Sequence, residues 1–531
     1  MRSPTRPVAL IAATAAILVA AVATTAASAT HSRSAANDTL VVDKSFDLKT
    51  VDPQRQYEPT GGIVDRALYD TLLEFKGADV AHPAPSVATG YKASKDARTY
   101  TFNLRRDVRF SDGSRLTAAD VVFSFKRLVN VKGNPSFLLA GITTTAKGPY
   151  TVVMKSKAPN PAIPVLVANT SLGIVNSKVV KAHGGSAAAN ADKTDKAESF
   201  LNSQSAGSGP YILKSYSTTS QVVLTRNGKY WGKAKPHFGT VVLRNVNSAA
   251  QLLNIQRGSN EVSLDLSADQ AKNLGGNKLR IQRTPSANVF FLFANANPKV
   301  STTSSNVHIR NAIRLALDYQ GYVRVAGSGA ARATGVIPSM FLGALPKSAV
   351  QRNLTKAKAE VQASGISNPK LKLEFPSDIT SNGLSFGVLA QKVKSDLAAA
   401  GIEVELAGSP VATSLNTYRD GTEELGLWYW GPDYPDPNDY LVFLPGQTVG
   451  LRAGWPAGAL PALEKLGVRA GSTAAPALRG RLFQQIGNQL NARSPFYPLI
   501  QPGQVVASSS NLTRTTFNVV YWIDVTAVGS R

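Results

Sequence analysis

The greatest concentration of chemistry in this chain runs Leu427-Trp428-Tyr429-Trp430-Gly431-Pro432-Asp433-Tyr434-Pro435-Asp436-Pro437-Asn438-Asp439-Tyr440. An apolar stretch ends in two tryptophans and enters a proline-rich turn that carries three aspartates. Aromatic walls beside an anionic group suit a pocket for a small cationic or zwitterionic ligand. Read as a strand, the segment puts Trp428 and Trp430 on one face and Leu427 and Tyr429 on the other, so one face is expected in the core and the other in a cleft. Asp433, Asp436 and Asp439 also allow a carboxylate-pair hydrolase. On such a turn, acids more often fix the local backbone, and Asp436 and Asp439 are read that way. Pro437 cannot donate a ladder hydrogen bond, which keeps the turn out of a sheet.

Other reactive constellations do not declare themselves. The five histidines, His31, His82, His183, His237 and His308, are far apart, and the chain has no cysteine to ligate zinc. The sequence contains no P-loop, no GxGxxG after a strand and no GxSxG elbow. No metal or cofactor is expected, and a binding protein is favoured over an enzyme.

The N-terminus indicates export. Arg2 and Arg6 precede an alanine-rich apolar run from Val8 to about Ala23, and Ala27-Ser28-Ala29 offers a small-x-small cleavage signal. Cleavage there leaves about 500 residues, ample for two or three lobes. Without cysteine the mature protein relies on its core rather than on disulfides, and it lacks the thiol that lipid anchoring needs. The expected location is the periplasm or the outer face of the cell envelope, without a lipid anchor. The 58 Lys+Arg residues against 34 Asp+Glu give a formal charge of +24, but the cations are scattered singly. That favours weak adhesion to anionic envelope polymers over nucleic-acid binding.

Strand-like and helix-like segments alternate from Thr39 onward, which argues for a mixed α/β fold. Thr99–Leu104 alternates with period two. Thr117-Ala118-Ala119-Asp120 resembles a capping box ahead of Val121, Val122, Phe125, Leu128 and Val129 at helical spacing. Gly184 to about Lys196 reads as a loop between lobes, Asn306–Ala326 as one helix, and Leu384–Ala400 as another that stops at Gly401.

The order of these blocks resembles the family 5 extracellular solute-binding proteins, the oligopeptide-, dipeptide- and nickel-type receptors of ABC importers. The most specific block is Tyr100–Arg105, Phe110-Ser111-Asp112-Gly113 and Leu116–Phe125. Thr50-Val51-Asp52-Pro53 is similar to the family's "LDP" turn. Gly207–Leu213 with Leu224, Arg226-Asn227 and Tyr230-Trp231 resembles its "GTGPY…L.RN..YW" pattern, and Val307–Asp318 its "VR.AL..AID" helix. The resemblance implies a type II periplasmic-binding-protein-like fold of the large three-lobed cluster, with two jaws, a hinge and a ligand cleft. It places a signal peptide at 1–29, lobe I at 30–69, 193–289 and 498–531, lobe II at 70–192 and lobe III at 290–497. The crossings between jaws are expected near Asn288–Asn295 and Phe496–Gln501.

By the same resemblance, Asp433 stands where peptide-binding members pair the ligand's α-ammonium, with Trp430 nearby. Trp428 shares its face, and the backbone of Tyr429–Gly431 is placed to pair with an extended ligand as an added strand. Tyr57, Glu58 and Pro59 are expected to meet the ligand from the opposite jaw. No lysine or arginine stands out as partner for a ligand carboxylate. The implied function is peptide capture by a monomer that delivers to a membrane permease. An opine, an oligosaccharide or a metal chelate is the alternative ligand.

Overall fold

A computed structural model describes residues 38–531. The signal segment at 1–29 and the leader up to residue 37 lie outside the described residues. Among those described, no helix is long and apolar enough to cross a membrane.

Three sheets carry the architecture. The first has seven strands in the order Leu279–Pro285, Gly503–Ser509, Glu261–Ser263, Thr39–Lys44, Thr240–Asn245, Gln221–Arg226 and Tyr211–Tyr216. Thr39–Lys44 runs parallel to both of its neighbours, buries Leu40 and Val42, and is joined to them by long connections. The second sheet has six strands: Ala331–Arg332, Phe496–Gln501, Val289–Ala294, Leu425–Trp430, Lys370–Pro376 and Glu403–Ser409. Its central strand reads VFFLFA and is buried along its whole length, because helices cover both sheet faces. The third sheet is antiparallel and comprises Ala88–Ala93, Thr99–Leu104, Thr151–Ser156 and Ile142–Ala146.

Local chemistry accounts for many of the boundaries. The alternation in Thr99–Leu104 buries Tyr100, Phe102 and Leu104. Thr117 and Asp120 form the expected capping box on helix Ala118–Asn130, and the Asp120 carboxylate also accepts from the Ser177 backbone. The single helix expected over 306–326 is instead two, Val307–Ala316 and Tyr319–Ala326. Leu317 is extended, and the Asp318 side chain accepts from Gly321 N to start the second helix.

The stretch from Gly184 to Lys196 is not a loose connection. Asp195 within it is buried against Arg127, which also holds Asp52 and Gln54. Arg127 is fully buried, with both charged partners at 0% side-chain exposure. This cluster ties the turn at Asp52 to helix Ala118–Asn130 and to the 184–196 segment.

The chain passes between the first and second sheets at Ser286-Ala287-Asn288 and again at Pro502. Strand Phe496–Gln501 lies wholly in the second sheet, so the boundary expected after residue 497 moves to Pro502. The two crossings are tied together: Ser286 N donates to Pro502 O at 2.8 Å, and Gln501 Nε2 to Ser286 O at 2.8 Å.

Burial pushes the Asp195 carboxyl up, but hydrogen bonds and charge from Arg127 outweigh it and hold the group at about 2. Its contribution to stability is therefore present above the unfolded carboxylate range and lost as pH falls through about 2. Arg127→Met leaves two buried carboxylates with the partly exposed Arg55 as their remaining cation. It is expected to cost on the order of 3–5 kcal/mol near neutral pH, read as a lowered unfolding midpoint in urea. A midpoint unchanged from wild type would refute this role.

Candidate functional site

A cleft of about 1270 Å³ opens between the first and second sheets. Every residue singled out from the sequence lines it: Tyr57, Glu58 and Pro59 from one side, and Trp428, Tyr429, Trp430, Gly431 and Asp433 from the other. Pro59 begins helix Pro59–Leu68, where its missing N–H costs nothing. Glu58 accepts from Tyr57 N and pairs with Lys49 at 2.9 Å.

The strand Leu425–Trp430 delivers the second group. Its two faces do not divide into core and cleft as expected. Leu427 and Trp428 are both buried, and Tyr429 packs on Phe290 and Phe386 while remaining 36% exposed. In a central strand covered on both faces, solvent is reached only at the strand's end, so Trp428, Tyr429 and Trp430 all border the cleft. Here the strand also outruns a neighbour. It stays paired with Val289–Ala294 through Trp430, whereas its pairing with Lys370–Pro376 covers only Leu425 and Gly426. One backbone edge of Leu427–Gly431 is thus left without a ladder partner. Gly431 is required by close approach: a Cβ there would stand 2.7 Å from Asn288 Oδ1. Asn288 is itself held, donating to Ser381 and Asn382 at 3.0 Å each.

Asp433 is the centre of the site. The Tyr57 hydroxyl donates to its Oδ1 across the cleft. Burial raises the Asp433 carboxyl, and hydrogen bonds from Tyr57 and Asp439 pull in the opposite direction. Among the described residues no cation is paired with it. The Tyr57 phenol is pushed far up by burial and then by the Asp433 charge, so it remains a neutral donor.

The turn residues divide in a way that the sequence did not show. Asp436 is a scaffold: it caps the 3₁₀ helix Pro437–Phe443 and pairs with buried Arg479. Asp439 holds the turn backbone as expected, through Asp433 N, but it is also 4% exposed and lies against the Asp433 carboxyl. Its Oδ2 accepts from Asp433 N and from Trp430 Nε1, both at 3.1 Å. Burial, then the adjacent Asp433 charge, pushes Asp439 well above the usual carboxylate range. Both carboxyls are raised, and of the two Asp439 is the one whose ionisation is opposed by both burial and its neighbour's charge. The turn composition alone gives no hint that the third aspartate folds back on the first.

The sequence profile of the bacterial extracellular solute-binding proteins, family 5 Middle, matches residues 82–450. The chain belongs to this family. One family relative is the probable D,D-dipeptide-binding periplasmic protein DdpA of Escherichia coli K12. It is 29% identical over 417 residues, which cover 76% of this chain and 77% of DdpA. The periplasmic oligopeptide-binding protein OppA of Salmonella typhimurium is 24% identical over 519 residues, covering 91% of this chain and 90% of OppA. Among solved structures, DppA of Helicobacter pylori in complex with peptide STSA superposes with a TM-score of 0.73 at 21% identity. That match covers 93% of this chain and 98% of DppA. The mixed α/β binding-protein fold expected from the sequence is the fold observed.

The raised Asp439 carboxyl carries a sign. A group whose folded pKa lies above its unfolded value favours folding at low pH and loses that contribution as pH rises through the folded value. Asparagine at 439 keeps an oxygen for Asp433 N and Trp430 Nε1 and a donor for the Asp433 carboxylate, and does not titrate. Asp439→Asn is expected to gain melting temperature relative to wild type progressively above the ordinary carboxylate range. A difference that stays constant from pH 4 to 9 would rule out the raised Asp439 carboxyl.

Proposed function

We propose that this chain is the exported, substrate-capturing component of an ABC importer, closing over short peptides and delivering them to a membrane permease. The observation that carries the reading is Asp433, a carboxylate in the cleft with no cation paired to it among the described residues. A peptide's α-ammonium supplies the missing charge, and the attraction strengthens as closure removes water. The unpaired backbone edge at Leu427–Gly431 suits an extended main chain added as a strand. Trp430 and Trp428 supply apolar wall, while Tyr57, Glu58 and Pro59 close from the opposite side.

The names of the relatives support the ligand class, since DdpA and OppA are described as dipeptide- and oligopeptide-binding. Their periplasmic location supports an exported protein, and the lack of cysteine is consistent with one that carries no thiol-linked lipid. The proposal assigns the protein no catalytic step, no cofactor and no nucleic-acid partner, and it works as a monomer. The geometry also argues against a glycosidase pair: Asp433 and Asp439 are in contact, whereas such carboxyls need roughly 5–9 Å between them.

Short peptides are expected to raise the melting temperature of the mature protein, and Asp433→Ala to abolish that shift. Leaving the bound ammonium unpaired costs on the order of 3–5 kcal/mol, or about two to three decades of affinity. Native mass spectrometry of the purified protein gives a second readout of the bound solute. The peptide assignment falls if peptides of two to five residues leave the melting temperature unchanged while an opine, oligosaccharide or chelate raises it.

A further inference from the structure

The third sheet uses only one of its faces for the core. Tyr100, Phe102, Val152 and Met154 point inward and are buried in one cluster with Phe125 and Leu128 of helix Ala118–Asn130. Side chains alternate along a strand, so the residues between them face solvent. The pairing register sets Thr99 beside Lys155 and Thr143, and Lys92 beside Thr101, Val153 and Thr145. In the next row Asn103 lies beside Thr151, and Lys147 continues it by donating its backbone N–H to Thr151 O at 2.8 Å. Lys92, Lys147 and Lys155 are exposed, and none of them forms an ion pair among the described residues. The four strands contain no acidic residue and no arginine. Asp96, in the turn between the first two strands, is held by Ser94 and Arg98.

Protein surfaces ordinarily intersperse both signs of charge, and this face carries one. Lysine at a sheet edge has a structural use, since it blocks pairing with another chain, and that accounts for Lys92 and Lys147. Lys155 lies on an interior strand, where the need does not arise. Strand and residue spacings put the three lysine Cα atoms roughly 12–16 Å apart. A compact anion cannot span them, whereas an extended polyanion can. Between the lysines stand the hydroxyls of Thr99, Thr101 and Thr151, which have no partner among the described residues and suit a hydroxylated chain. Lysine offers a point charge, which serves phosphate, while planar carboxylates favour the arginine fork that this face lacks. We propose that the outer face of the third sheet binds an extended polyol-phosphate polymer, holding the exported protein at the cell envelope. No residue of the face lines the cleft, so polymer and cleft ligand are bound independently. The polymer interaction therefore does not depend on what the cleft captures.

Fluorescence anisotropy of end-labelled poly(glycerol phosphate) measures the interaction with the mature protein, and polygalacturonate serves as the carboxylate polymer for comparison. Wild type is expected to bind poly(glycerol phosphate) the more tightly, with an affinity that falls steeply as salt screens the exposed charges. The triple variant Lys92→Gln, Lys147→Gln, Lys155→Gln is expected to bind roughly 100-fold more weakly, at about fivefold for each lysine facing an anionic surface. A control of equal net charge, Lys347→Gln, Lys394→Gln, Lys465→Gln, removes exposed lysines without ion pairs elsewhere on the surface. It is expected to stay within about twofold of wild type. Lys155→Gln alone, expected to cost about fivefold, keeps the test open if the triple variant does not fold. Equal losses in the triple variant and the control mean that net charge alone attracts the polymer, and overturn the site. Binding of polygalacturonate as tight as that of poly(glycerol phosphate) overturns the phosphate assignment. A wild type that binds neither polymer overturns the proposal and leaves the reading of the cleft untouched.

Discussion

The arrangement of the cleft follows from one unbalanced charge. Asp433 sits half-buried between two jaws, with a hydroxyl and a second carboxyl beside it and, among the described residues, no lysine or arginine paired to it. A chain with 58 basic residues has ample means to neutralise one aspartate, and here it does not. Arg127 and Arg479 show the contrast: each buried cation is spent on carboxylates that hold the scaffold, Asp52 and Asp195 in one case and Asp436 in the other. Leaving Asp433 without a cation weakens the unliganded closed state, because a buried carboxylate lacking a counter-charge is unfavourable. The same deficit makes a cationic ligand group worth more there than at an exposed site.

That charge can act only if the jaws close on it reproducibly, which the two crossings provide. Ser286-Ala287-Asn288 and Pro502 connect the first and second sheets side by side, and their mutual hydrogen bonds make them one narrow joint. Asn288 extends the joint to the site: it restrains Ser381 and Asn382, and its side-chain oxygen faces Gly431 closely enough to exclude a Cβ. Asn382 continues the chain of contacts to Gln504 on the far side of the second crossing, at 2.7 Å. The backbone that precedes Asp433 is thus packed directly against the crossings between the two sheets.

Much of this was legible in the sequence, and the parts that were not share a physical cause. Local patterns revealed local structure: the Thr117–Asp120 cap, the alternation in Thr99–Leu104 and the cleft position of residues 428–433. Tyr57, Glu58 and Pro59 were placed opposite them through the family resemblance, not through any pattern of their own. What escaped depends on contacts between segments distant in the chain. The break at Leu317-Asp318 interrupts a helical periodicity that continues on both sides. Asp195 looked like part of a small-residue linker because its partner Arg127 lies 68 residues earlier. Asp439 and Asp436 are alike in type and setting, and only the path of the turn decides that one meets Arg479 and the other Asp433.

The Tyr57 contact bears on how occupancy and closure are coupled. A carboxylate has lone pairs for about four hydrogen bonds. Tyr57 engages Oδ1 alone, so the hydroxyl and a ligand ammonium need not compete for the same oxygen. The tyrosine contributes a neutral hydrogen bond to the closed state, whether or not ligand is present, and cannot balance the charge. On the proposed reading a peptide ammonium balances it, and gains most when the opposite jaw has excluded water. Each contact is therefore stronger in the presence of the other, and ligand shifts the population toward closure only through this difference between states. The charge on the Asp433–Asp439 pair is central to that difference. With both carboxyls ionised, closure would bury two negative charges against one ammonium. With the raised Asp439 neutral, one ammonium is sufficient.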